Sequence, residues 1–253
     1  MLLAIDIGNT AIEVGLFLKE ELTQTFCLGT DLQKTADEYA FFLKNMLKSD
    51  PSRLEGIILG SVVPSLTKKI KKALSKLTGA PIFTVGPGMR TGFPLRIDNP
   101  KELGADLAAN AAGALEKCAF PVIVADFGNV TTLLVLDDKG AYRGGCFMPG
   151  VGMSLDSLKG AELLPSVPAE KATSVLGTNT ADCMRAGVLR GQAFSVMGFV
   201  KSYKAKLELP ANTPLLVTGD YAPLILPNLP QEILYEEHLT LRGLAAIYRF
   251  NKK

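Results

Sequence analysis

Residues 2–18 read LLAIDIGNTAIEVGLFL, and residues 122–137 read VIVADFGNVTTLLVLD. Each stretch runs four apolar or small residues, an Asp, an apolar residue, Gly-Asn, two more residues and then an apolar strand. Asp6 and Asp126 lie 120 positions apart, a spacing too long for a solenoid repeat and right for a duplicated domain. One Asp-x-Gly-Asn turn is a common hairpin without chemistry. Two copies, each opening half of the chain, point to a shared purpose.

The segments after each opening support the duplication. After the first, 23–28 reads as a third strand, and Thr35-Ala-Asp-Glu38 as a capping box starting a helix. Then come a buried strand over 56–62, an amphipathic helix over 65–77 and a strand over 81–85. After the second, 141–147 supplies a third strand. A long helix is expected from about 179 to 207, then a strand over 214–219, a short helix, a strand over 232–235 and a helix from about 239. The expected fold class is α/β, with domains over 1–115 and 116–253. The helix over 104–118 is rich in alanine, so either it is central and closely packed or it meets a second copy of the chain.

Composition narrows the classes. The chain has 253 residues, 47% of them hydrophobic and 21% charged, with a net charge of +2. It is long enough for one or two cores and too apolar to be disordered. Its balanced charge offers nucleic acid no broad basic surface, and the lysines over 65–77 read as a solvated helix face. No apolar run is long enough to cross a bilayer, and MLLAIDIGNT lacks the basic start of a secretion signal. Cys27, Cys118, Cys146 and Cys183 are far apart, which suits reduced thiols in a cytoplasmic protein better than zinc or a disulfide framework. The single histidine, His238, lies in no motif for a Ser-His or Cys-His mechanism.

The chemistry of the repeat can be read from its parts. Each Asp ends a buried strand, where a carboxylate needs a cation or a hydrogen-bond network. The Gly lets backbone N–H groups approach an anion, and Asn9, Thr10, Asn129, Thr131 and Thr132 add neutral donors. Two such loops facing each other would clamp a polyphosphate, with the carboxylates holding Mg²⁺ directly or through water. The usual P-loop and dinucleotide fingerprints are absent. The arrangement resembles the sugar kinase, heat-shock ATPase and actin superfamily. That resemblance implies two ribonuclease H-like domains with an ATP cleft between them, and a late Gly turn at Val217-Thr218-Gly219-Asp220.

Further motifs narrow the resemblance. Asp6-Ile-Gly-Asn-Thr10, Ser61-Val-Val-Pro64, Asn99-Pro100, Glu102-Leu-Gly-Ala-Asp106, Asp126-Phe-Gly128 and Gly144-Gly145 occur in order. Pro149-Gly150, Leu164-Pro165, Gly177, Asn179-Thr180, Val217-Thr-Gly219 and Leu239-Thr-Leu-Arg-Gly-Leu244 come after them. In this the chain is similar to the type III pantothenate kinase family, nearly end to end. The resemblance implies ATP-dependent phosphorylation of pantothenate, the first step of coenzyme A biosynthesis, by a homodimer that completes each site across its interface. Asp6, Ile7, Gly8, Asn9, Thr10, Ala11, Ile12 and Glu13 would form the first phosphate loop, with Asp6 toward Mg²⁺. Gly128, Asn129 and Gly219 would touch ATP, and Asp126 would hold a monovalent cation, K⁺ or NH₄⁺. Asp106 would be the catalytic base, and Ile97, Gly104, Ala105, Asp106, Leu107 and Thr180 would line the acceptor pocket.

Four positions depart from the family, which has Thr at the place of Asn129 and a second Gly at the place of Asp220. It carries Arg where this chain has Leu107 and Tyr where it has Ile97. Leu offers no bidentate donor for the pantothenate carboxylate. The alternatives are a kinase for another small hydroxyl-bearing acceptor, or a regulatory paralogue that binds a nucleotide or metabolite without turnover.

Overall fold

The computed structural model describes residues 1–171 and 174–252. The chain opens with β1 (Leu2–Ile7), β2 (Ala11–Leu18) and β3 (Glu21–Gly29), an antiparallel meander. Helix α1 (Ala36–Met46) begins at the expected capping box. Thr35 Oγ1 accepts from the Glu38 amide at 3.2 Å, and the Glu38 carboxylate accepts from the Thr35 amide at 2.7 Å. Strand β4 (Gly56–Ser61), helix α2 (Pro64–Leu77) and strand β5 (Ile82–Thr84) come next, and β4 pairs parallel to both β1 and β5. The sheet order is β3-β2-β1-β4-β5. Its alternating residues Leu3, Ile5, Ile7, Ile12 and Val14 bury against Tyr39 and Leu43 of α1 and Leu66 and Ile70 of α2. Helix α3 (Ala105–Lys117) closes this stretch.

The second half repeats the plan. Strands β6 (Val122–Phe127), β7 (Val130–Leu136) and β8 (Tyr142–Pro149) form an antiparallel meander. After them come α4 (Val151–Leu158), α5 (Thr180–Arg185), a π-helical turn (Ala186–Arg190) and α6 (Gly191–Lys206). Strand β9 (Leu215–Thr218), helix α7 (Ala222–Ile225) and strand β10 (Leu234–Tyr235) complete it. β9 pairs parallel to both β6 and β10, so the order β8-β7-β6-β9-β10 matches that of the first sheet strand for strand. Ile123, Ala125, Phe127 and Leu133 bury against Val151 and Leu155 of α4 and Leu189, Ala193 and Val196 in and beyond the π turn. Two readings need correcting. The long helix expected over 179–207 is broken in phase by the π turn, and α4, which is preceded by a Gly and contains another, has no counterpart among the expected elements.

Helix α8 (Leu239–Asn251) ends the described chain. The molecule divides into two compact units, Met1–Phe93 with Asp98–Glu116 and Leu239–Lys253, and Pro94–Ile97 with Lys117–His238. The sequence boundary at 115/116 would leave α8 in the second half. In the structure it packs in the first unit, and its Leu241 and Leu244 lie over Gly15 of β2 and Gly60 of β4. The alanine-rich α3 is the buried central helix: Gly243 of α8 lies against the Ala109 backbone, and Leu239 lies against Gly113. Small side chains at these crossings are what let two helix backbones come so close.

Candidate active site

In the first unit the apolar run of β1 carries Asp6 to the edge of the core, where it is half-buried. Asp6 faces Glu13 of β2 across the antiparallel pair and Gly60 of β4 across the parallel one. Directly opposed residues share a sheet face, so the two acids stand side by side. A side chain at 60 would crowd Asp6 Oδ1, which a β-carbon there would approach to 3.2 Å. The Gly8 amide donates to the Ala11 carbonyl at 2.9 Å, closing the turn. The turn is tied to the end of β3, since Thr30 Oγ1 donates to the Gly8 carbonyl at 2.7 Å and the Thr30 amide to the Thr10 carbonyl at 3.0 Å. Asn9 and Thr10 are left exposed on a braced loop.

Asp106 belongs to the same unit, in the first turn of α3. The Asn99 side chain caps the short turn before it, accepting from the Lys101 amide at 3.2 Å. The half-buried Asp106 carboxylate folds back over Gly104, where a β-carbon would stand 2.5 Å from Oδ1. Ala105 is buried, and Leu107 points into the unit at 5% exposure. Leu107 therefore presents neither charge nor surface to a ligand.

The second unit builds the matching hairpin. The burial pattern along β6 is the same, position for position, as along β1, with the acid the one half-buried residue in each. Asp126 lies between Thr132 of β7 and Thr218 of β9. Three loops converge on it. Gly219 has φ +101°, and a β-carbon there would overlap Asp126 Oδ1 and the Phe127 backbone, so this position takes only glycine. The Tyr221 amide donates to the Phe127 carbonyl at 2.9 Å, holding the Gly219 turn down. From the other side, the Gly150 amide donates to the Asn129 carbonyl at 3.0 Å, and any side chain at 150 would overlap the Gly128 and Asn129 carbonyls. Gly152 lies beside Tyr221 and the Asn129 side chain. Helix α4 thus begins beside the hairpin with no side chain capping its first amides. Asp220 is exposed.

Gly128, Asn129, Asp126 and Gly219 are therefore brought together. Two other expected residues of this unit lie elsewhere in it. Ile97 packs by Gly144 of β8, on a segment held there by the Arg96 amide donating to the Tyr142 carbonyl at 2.9 Å. Thr180 starts α5 and lines an apolar pocket of about 520 Å³ with Ser154, Leu158, Leu164, Met184 and Val188. The part that sequence reasoning missed is the α4 entrance. Gly150-Val-Gly152 was visible as a pair of glycines, but only its contacts with Asn129 give it meaning.

Among the described residues no cluster of three or more His, Cys, Asp or Glu side chains is arranged to hold a metal. The donors that are present fit hard cations. Mg²⁺ commonly takes one or two carboxylates and fills its other positions with phosphate oxygens and water, as the Asp6–Glu13 pair allows. Asp126 has Thr132 and Thr218, each with a hydroxyl oxygen, as its partners on the two flanking strands.

Two mixed sheets of one topology, each led by an acid-tipped hairpin, define a protein of the sugar kinase and actin fold. Solved structures agree on the fold. A protein of Campylobacter jejuni described as a Baf family transcriptional activator superposes with a TM-score of 0.64 at 17% identity, covering 98% of both chains. A ROK family glucokinase of Streptomyces griseus, in complex with glucose and AMPPNP, superposes with a TM-score of 0.56 at 14% identity, covering 98% of this chain and 99% of that one. The sequence is more specific. The family model for type III pantothenate kinase matches residues 2–202. The type III pantothenate kinase of Moorella thermoacetica is 38% identical over 255 residues, covering 99% of this chain and all of that one. That of Halalkalibacterium halodurans is 36% identical over 255 residues, with the same coverage. The chain belongs to the type III pantothenate kinase family.

Proposed function

We propose that this protein transfers the γ-phosphoryl group of ATP to the primary hydroxyl of pantothenate, giving 4′-phosphopantothenate and ADP at the start of coenzyme A biosynthesis. The observation that carries the reading is the recurrence of one acid-tipped hairpin, with one burial pattern along its first strand, in a chain of this family. The braced loop over 6–13 and the Gly128, Asn129 and Gly219 cluster bind the nucleotide. Asp6, with Glu13 beside it, directs Mg²⁺ through water, and Asp126 holds K⁺ or NH₄⁺. These cations, when bound, neutralise phosphate charge. Asp106 accepts the hydroxyl proton as the oxygen attacks phosphorus, and Gly104, Ala105 and Leu107 fix its helix turn. Thr180 and Ile97 contribute to the acceptor pocket.

The protein acts in the cytoplasm as a homodimer. Supporting this, no described helix is long and apolar enough to cross a membrane, and no disulfide joins the described cysteines. The second unit exposes a set of large apolar side chains, Leu163 (91%), Leu176 (74%) and Phe194 (63%). We assign it to a second copy of the chain, so Phe194→Glu should yield monomers in light scattering.

The test is purified protein with ATP, Mg²⁺, K⁺ and pantothenate, followed by mass spectrometry for 4′-phosphopantothenate. ATP binding without any product would overturn the reading. The lack of an Arg at position 107 favours one rival, a kinase for an uncharged hydroxyl-bearing acceptor. A phosphotransfer screen over small alcohols and vitamins distinguishes it from a regulatory protein, which would transfer to none of them.

A further inference from the structure

The π turn over 186–190 has a structural consequence one residue into α6. An i→i+5 turn inserts one extra residue, rotating the helix beyond it by about 100° relative to a regular one. In that rotated stretch Gln192, Ala193, Val196 and Val200 face the core, and Gln192 is the one polar side chain among them. It is 9% exposed in an otherwise apolar cluster. Its Nε2 donates to the Pro149 carbonyl at 2.7 Å, across 43 residues of chain. Its Oε1 has no hydrogen-bond partner. Burying an amide with one end unsatisfied costs stability that an apolar side chain would not. What the amide gains is a fixed position for the last residue of β8.

That position leads to the nucleotide loop. Pro149 precedes Gly150, whose amide donates to the Asn129 carbonyl and which touches the Gly128 and Asn129 backbone. The Ser154 hydroxyl donates to the same Pro149 carbonyl at 3.3 Å, a longer bond from an exposed group. We infer that Gln192 is a positioning residue for ATP, holding Pro149-Gly150 so that Gly150 in turn sets the Gly128–Asn129 turn. The inference rests on the reading of that turn as a nucleotide contact.

Two variants keep the shape and remove the donor. Gln192→Met is apolar, and Gln192→Glu is isosteric but accepts only when ionised. Either should raise the KM for ATP about fivefold while leaving kcat and the KM for pantothenate within about twofold, as loss of one buried hydrogen bond predicts. Hydrogen exchange at the Gly150 amide should quicken about tenfold with the unfolding midpoint nearly unchanged. If Gln192→Met aggregates, Gln192→Glu carries the test. Wild-type ATP affinity and wild-type protection of Gly150 in a folded variant would overturn the inference. If the natural protein makes no 4′-phosphopantothenate, the reaction reading fails. Binding of a nonhydrolysable ATP analogue and the Gly150 exchange rate then still decide the role of Gln192.

Discussion

Asp106 is a single carboxylate with two candidate jobs. An acid in the first turn of a helix interacts favourably with the dipole, worth about 0.3–1 kcal/mol. A general base contributes about 10²–10⁴-fold to a rate. The two differ enough to separate: Asp106→Asn should lose kcat on the larger scale while its unfolding midpoint and its affinity for an ATP analogue stay near those of the natural protein. Steady-state kinetics beside calorimetry check this, and full turnover in the variant would remove Asp106 from the base role. Residues of this kind differ in how legible they were. Asp6 and Asp126 stood out because an acid ending an apolar strand contradicts its surroundings. Gly150 was visible only as part of a motif without a role, which its contact with Asn129 supplies. Gln192 was illegible for a different reason. A glutamine in a helix reads as solvent-facing, and its bond to the Pro149 carbonyl 43 residues away leaves no local signal.

Elements whose signals are local came through well: the meanders, the capping box of α1 and the amphipathic α2 are each written within about ten to fifteen residues. The β7–β8 turn is local too, and it makes a pH prediction. Burial alone would push the Asp137 carboxyl up. Its Oδ1 accepts from the Ala141 amide at 2.9 Å and the Lys139 amide at 3.0 Å, and Oδ2 from Arg143 at 3.1 Å. Together these hold it below the usual carboxylate range. A carboxyl with a lowered folded value contributes stability that is present above the unfolded value, near 3.9, and is lost as pH falls through the folded one. Asp137→Asn should therefore cost about 1–3 kcal/mol at pH 7. The gap between variant and natural protein should hold to about pH 5 and close below about pH 4. Chemical denaturation across that range measures it, and a gap that is flat down to pH 3 would show that charge at Asp137 plays no part.

At the scale of the whole molecule, the duplication was legible because β1–β2 and β6–β7 carry matching letters in the same order. The destination of α8 was not. Its place depends on Gly243 meeting Ala109 and Leu244 lying over Gly60, contacts between segments more than 100 positions apart that no local pattern announces. If α8 is core to the first unit, its damage should stay there. Leu244 is fully buried, and Leu244→Ala removes packing over β4 at a cost of about 2–5 kcal/mol. That is a large share of the about 5–15 kcal/mol that holds a typical domain. Native-state hydrogen exchange should then show amides of β1 and β4 losing protection while those of β6 and β7 keep theirs. Equal losses in both sheets would mean that the two units unfold as one, and that α8 stabilises the chain as a whole rather than the sheet it covers.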